Sequence, residues 1–174
     1  SKSQDLEARF MLGYSYFNLK KLAEPLDQFN LVKGTESSFS PASNYYAVYI
    51  ELSSGQYENA LRDLQRIDKQ SSYATVVPYL IAQCNYKLGR DDELLSYAQS
   101  VSQQSGLQNA EEIKLLVSET YFRKKEYVKA IEGYNAFLGA KTSLDRGVLF
   151  RAGYANFSVD KTKEAIEFLK KSAS

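Results

Sequence analysis

The chain has 174 residues, a formal net charge of +1, and 44% hydrophobic and 25% charged residues, so it can fold a real core but carries no field to gather nucleic acid or an anionic membrane. With no His and one Cys, imidazole triads, most zinc sites and an internal disulfide are excluded. No apolar run approaches the roughly 18 residues of a membrane span, and nine Gly and three Pro leave little punctuation for a many-stranded β protein.

Hydrophobic spacing predicts ten helices. The first two cover 4–19 and 22–33, with Leu22, Leu26 and Phe29 on one face and the turn "NLKKL" between them. Pro25 then falls in the first turn of the second helix, where its missing N–H has no intrahelical partner to lose. The next pair is 41–54 and 57–68, with Pro41 following a Ser40 cap. The third is 74–88 and 91–103, with Pro78 early in the first helix and Asp91-Asp92-Glu93 opening the second at its positive end. The fourth is 109–124 and 127–138, opened by Glu111-Glu112, with the basic run "RKKEYVK" (123–129) on a solvated turn. The fifth is 144–158 and 162–172.

The pairs are copies of one another. "KKLAEPLDQF" returns as "GQYENALRDL" from 55, "GRDDELLSYA" from 89, "KEYVKAIEGY" from 125 and "DKTKEAIEFL" from 160, at offsets of 35, 34, 36 and 35 residues. A column of small or modest residues runs Gly13, Val48, Ala82, Ser118 and Gly153, as a close helix contact requires. Apolar columns flank it: Phe10, Tyr45, Tyr79, Leu115, Phe150 before, and Phe17, Leu52, Tyr86, Phe122, Phe157 after. Phe10 and Phe150 are expected to behave as core. Cys84 lies in a column with Ser15, Ile50, Thr120 and Ala155 and reads as a buried, inert thiol.

A period near 34 with two helical blocks resembles the tetratricopeptide repeat. Leu12-Gly13, Tyr16 and Phe29 carry its signature in the first copy, and Tyr121, Ala130 and Tyr134 in the fourth. Glu51, Asn85 and Asn156 depart from it where Tyr is expected, as do Asp91 and Thr162 in place of the aromatic found as Tyr57 and Tyr127. The resemblance implies an all-α, right-handed superhelical solenoid of about five antiparallel helix pairs. Its repeats would be 5–38, 40–72, 74–107, 109–141 and 144–174, a single array read as a segment of a longer one because no capping helix follows 162–172.

The same resemblance places the first helix of each pair along a concave groove. The partner-binding residues expected there are Tyr14, Tyr45, Tyr49, Tyr79, Gln83, Lys87, Glu119, Arg123, Arg151 and Tyr154, set among aromatics that also pack between repeats. Tyr14, Tyr49, Gln83 and Glu119 stand out because their column varies in polarity. No cofactor, metal or catalytic residue is indicated. The carboxylate clamp that grips chaperone tails is absent: Phe10 and Tyr14 stand where its first Lys and Asn would be, Tyr46, Val76 and Leu80 fill the following slots, and a register from the third repeat recovers only Arg151.

The expected function is a non-catalytic protein-interaction scaffold holding a peptide or partner protein in an aromatic groove, with no nucleic-acid contact and no membrane insertion. In texture the chain resembles bacterial cell-envelope tetratricopeptide proteins, which leans its location toward the periplasm or outer membrane and its role toward envelope complex assembly. The rivals are a glycan-binding module of a bacterial outer-membrane system and a purely structural segment of a large assembly.

Overall fold

The computed structural model describes residues 2–21, 23–140 and 145–173. The helices are α1 (Lys2–Asn18), α2 (Ala23–Val32), α3 (Ser40–Ser53), α4 (Tyr57–Ile67), α5 (Val77–Lys87), α6 (Asp91–Val101), α7 (Ala110–Arg123), α8 (Tyr127–Gly139), α9 (Arg146–Phe157) and α10 (Thr162–Ala173). No strand occurs among the described residues. The helix starts expected at Leu22 and Leu144 lie outside those residues. By its internal contacts the chain divides into two units, Ser1–Leu88 with α1–α5 and Gly89–Ser174 with α6–α10. Within each unit every helix packs on the next in sequence.

The turn that reverses the chain is the same in every copy. Lys20, Gly55, Gly89, Lys125 and Asp160 all adopt a left-handed backbone, with φ of 58°, 74°, 70°, 60° and 61°. Their spacing is that of the sequence repeat. In four of the turns the left-handed N–H donates three residues back and the next N–H five residues back: Lys125 to Phe122 O at 2.9 Å, and Glu126 to Tyr121 O at 2.8 Å. This is the arrangement that satisfies the last orphan carbonyls of a helix.

The small-residue column sets how closely paired helices approach. A Cβ on Gly13 would lie 2.9 Å from Phe29 Cε1, and one on Gly153 only 2.7 Å from Leu169 Cγ. In the fourth copy Ser118 takes the column, and the facing helix yields instead: a Cβ on Gly133 would collide with the Ser118 hydroxyl. Phe29, Ala47 and Ile50 form part of the core of the first unit. Ala130, Tyr134, Val148, Leu149 and Ala152 form part of the core of the second.

The prolines sit at helix starts. Pro25 is the third residue of α2, and Pro41 and Pro78 each occupy the second position of their helices. The Ser40 cap is not formed. Phe39 precedes α3 without a side-chain cap, and Ser40 is already helical. Its hydroxyl instead donates to Lys33 O at 2.8 Å, and Asn44 Nδ2 donates to the same carbonyl at 2.9 Å. Both side chains therefore satisfy the end of α2 rather than the start of α3. The start of α5 also shifts to Val77, because successive turns hydrogen-bonded to Gln70 O and Tyr73 O occupy 70–77. A true N-cap appears at α9, where Asp145 Oδ1 accepts from Val148 N at 2.8 Å.

Candidate functional site

In the first unit the aromatics of α1 and α3 form a continuous set of ring contacts. Tyr14 stacks on Phe10, with centroids 6.2 Å apart, and meets Tyr46 edge-on at 5.3 Å. Tyr46 also touches Phe17 at 5.3 Å and the buried Phe29 at 5.7 Å. Tyr46 was absent from the expected site, yet it is the ring on which the others converge. Tyr45 meets Tyr49 at right angles at 5.1 Å, and their hydroxyls share a hydrogen bond of 2.8 Å. Burial first, and then that hydrogen bond, pushes the Tyr45 phenol above its ordinary value, so it stays protonated. Tyr14 remains 38% exposed and Tyr49 43% exposed. Their rings are held in place by neighbours while one side stays open.

The second unit repeats this geometry with different chemistry. Glu119 stands in the column of Tyr14, Tyr134 in that of Phe29, and Arg151 in that of Tyr46. The aromatic contact between Tyr14 and Tyr46 becomes an ion pair, with Arg151 Nε donating to Glu119 Oε1 at 2.7 Å. Desolvation pulls the partly sheltered guanidinium down, but the hydrogen bond and charge of Glu119, followed by Tyr134, together hold it above its usual value. Tyr134 lies fully buried beneath, its phenol pushed up by burial and then by the charge of Glu119. Tyr154, 45% exposed, packs edge-on against Phe122 at 5.8 Å and Tyr127 at 5.9 Å.

The remaining expected residues are placed as follows. Tyr79 and Gln83 are half-buried on α5, and Lys87 is exposed at its end. Arg123 pairs with Asp91 at the start of α6, and Lys124 Nζ lies 2.8 Å from Asp92 Oδ1. The acidic cluster and the basic turn thus answer each other across the helix ends. Phe150, expected in the core, is 54% exposed on α9. Its column packs in the first unit because Phe39 and Tyr46 cover Phe10. No described side chain does the same for Phe150. Cys84 is fully buried, and burial, then the nearby Glu51 charge, pushes its thiol up to about 12. It is inert at neutral pH.

Sequence reasoning missed a buried charge cluster on the other side of the first unit. Lys33 Nζ donates to Glu51 Oε1 at 3.1 Å and to Asp63, which Arg66 Nη1 also reaches at 3.2 Å. Its members come from α4, α3 and the residue after α2. The one available signal was Glu51 itself, the only charged residue in a column that otherwise holds Tyr16, Asn85, Tyr121 and Asn156.

No protein-family model and no curated protein matches the chain. Solved structures do match. A crystal structure of MamA is 13% identical with a TM-score of 0.80, covering 97% of this chain and 90% of that one. MamA from Desulfovibrio magneticus RS-1 is 15% identical with a TM-score of 0.78, covering 97% and 93%. YrrB, described as a TPR protein with an unusual peptide-binding site, is 14% identical with a TM-score of 0.74, covering 94% and 82%. At such identities the likeness establishes the fold alone.

Proposed function

From the premise of a tetratricopeptide-type fold, we propose that this chain is a non-catalytic protein-interaction scaffold whose first helices receive an extended peptide or partner segment. The observation that carries the proposal is the state of Tyr14 and Tyr49. Each ring is fixed by aromatic contacts, and each keeps about two fifths of its surface open. A surface already ordered binds at lower entropic cost, and Tyr supplies wide contact area with few torsions to freeze. The peptide-binding site described for YrrB is a precedent within the same fold. In the second unit, Glu119, Arg151 and Tyr154 would supply polar anchors beside an exposed ring.

The test separates recognition from packing. Tyr14→Ala is expected to cost about 1–2 kcal/mol of stability, the worth of its two ring contacts plus its buried edge. Phe29→Ala, in the core, should cost about 3–5 kcal/mol. A peptide selected against the immobilised chain should lose roughly tenfold in affinity on Tyr14→Ala or Tyr49→Ala. Peptides whose affinity ignores both substitutions, or a glycan array that is bound while peptides are not, would overturn the reading. The finer placement, assembly of bacterial envelope complexes, rests on the Tyr-rich texture of the first helices. Fractionation of the native protein away from the envelope would remove it.

A further inference from the structure

Two sets of side chains are exposed in one copy of the repeat and covered in the others. On α1, Ala8, Leu12 and Ser15 follow at spacings of four and three on one helix face, and all are exposed. Their columns hold Ser43, Ala47 and Ile50 in the second copy, and Val148, Ala152 and Ala155 in the last, every one buried. The third copy buries Val77, Ile81 and Cys84, and the fourth buries Ile113 and Thr120 with Val117 half-buried between them. The last copy shows the converse. Phe150, Phe157 and Ile166 are 54%, 64% and 48% exposed. Their counterparts Phe10, Phe17 and Leu26 are half-buried, and no residue of these three columns is exposed in the second, third or fourth copy.

The two sets meet inside the chain. In the first unit Phe10, Phe17 and Leu26 pack against the cluster of Phe29, Ala47 and Ile50. Tyr46, in the column of Met11, lays its ring against Phe10 and Phe17 at the same place. This junction of α2 with α3 recurs as α4 with α5 and as α8 with α9. Phe150, Phe157 and Ile166 are thus one half of a contact that the chain builds repeatedly, and Ala8, Met11, Leu12 and Ser15 are the other half.

We propose that the chain associates head to tail with a second copy of itself, α1 of one copy seated on α9 and α10 of the next. Leu12 and Ser15 then stand where Ala47 and Ile50 stand in the first unit. Met11 takes the position of Tyr46, and its flexible thioether adapts to the two phenylalanine rings. The occupant is a second copy because the first and last repeats each display the half that the other lacks, and the internal junction shows these halves fitting. Apolar side chains on both sides leave water on association. The two halves differ, so the contact is heterologous: each pairing leaves one half of each kind open to a further copy. The inference stands on burial across the repeats and does not depend on the peptide-binding reading.

The test is sedimentation velocity on the 174-residue chain, from about 1 μM to about 1 mM, the range in which a modest interface is half-filled. The average sedimentation coefficient should climb with concentration beyond that of a dimer. Leu12→Glu and Phe157→Glu should each weaken association at least about tenfold, because the contact would bury an unpaired carboxylate. Mixed together, the two variants should form one-to-one dimers and nothing larger, since each keeps the half that the other has lost. Met11→Glu and Phe150→Glu, at positions 55% and 54% exposed, replace either variant if its helix content falls. Three outcomes would overturn the proposal. The chain could stay monomeric at every concentration, which would assign the two faces to an adjoining segment of a longer polypeptide or to another partner. Either variant alone could associate as the parent does, which would mean that like halves pair. The mixture of variants could stay monomeric.

Discussion

Glu51 shows how a single residue carries a cost that only the fold reveals. Burial first, and the Asp63 charge next, raise its carboxyl above the ordinary 4.5, against the opposing pull of Lys33. The folded chain therefore holds more protons than the unfolded chain between 4.5 and the raised value, and stability falls as pH climbs through that window. The groups that face it are Lys33 beyond α2, Asp63 on α4 and Cys84 on α5. Glu51→Gln keeps the shape, leaves Lys33 paired with Asp63 and removes the titration. Urea midpoints for this variant should be higher than those of the parent on the alkaline side of that window, and should not fall as the parent's do as pH climbs from 4.5. An unchanged slope would mean that Glu51 is not the group responsible. At this scale the sequence was only partly legible. Glu51 was visible as a departure from its column, but its partners lie 18 residues upstream, just past α2, and 12 downstream on α4. No local pattern points to them. Tyr46 was hidden for a similar reason, because its importance lies in what converges on it.

Among the helices and turns, the repeat offsets carried most of what was needed. The five left-handed turn residues follow the same offsets as the apolar columns, although only two of them are Gly. A left-handed backbone costs a residue with a Cβ roughly 1–2 kcal/mol. Lys125→Gly should therefore stabilise the second unit, by up to about 1 kcal/mol after the added freedom of the unfolded chain is subtracted. Gly55→Ala should do the reverse in the first unit, and matching midpoints for both would show that these turns are unstrained. The small-residue column makes a second claim. With Leu169 already within 2.7 Å of where a Cβ would stand, Gly153→Leu must push α9 off α10, at a cost of about 1–3 kcal/mol or more. Calorimetry that finds the melting temperature of Gly153→Leu unmoved would refute the contact. Ser40 marks the limit of such pattern reading. A Ser before a Pro looks like a cap, but the hydroxyl found a better acceptor at the end of the preceding helix.

At the level of the whole chain, the fold was legible because it is written five times over. An error in one copy is corrected by the other four. The proposed binding surface is not written that way. The slot holding Tyr14, Phe29 and Tyr46 in the first unit holds Glu119, Tyr134 and Arg151 in the second, so one backbone geometry displays an aromatic face once and a salt-bridged face once. Averaging over copies finds the slot and erases its contents. Cys84, by contrast, is unique in the chain and wholly enclosed. A thiol reagent can reach it only when the structure around α5 opens, so the labelling rate is an internal clock for that opening. In native buffer the reaction should be slower than with the urea-unfolded chain by orders of magnitude. Gly13→Leu should accelerate it if its strain spreads through the first unit, and immediate labelling of the native chain would contradict the burial of the thiol. The molecule thus carries its own probe of breathing, with no label to engineer.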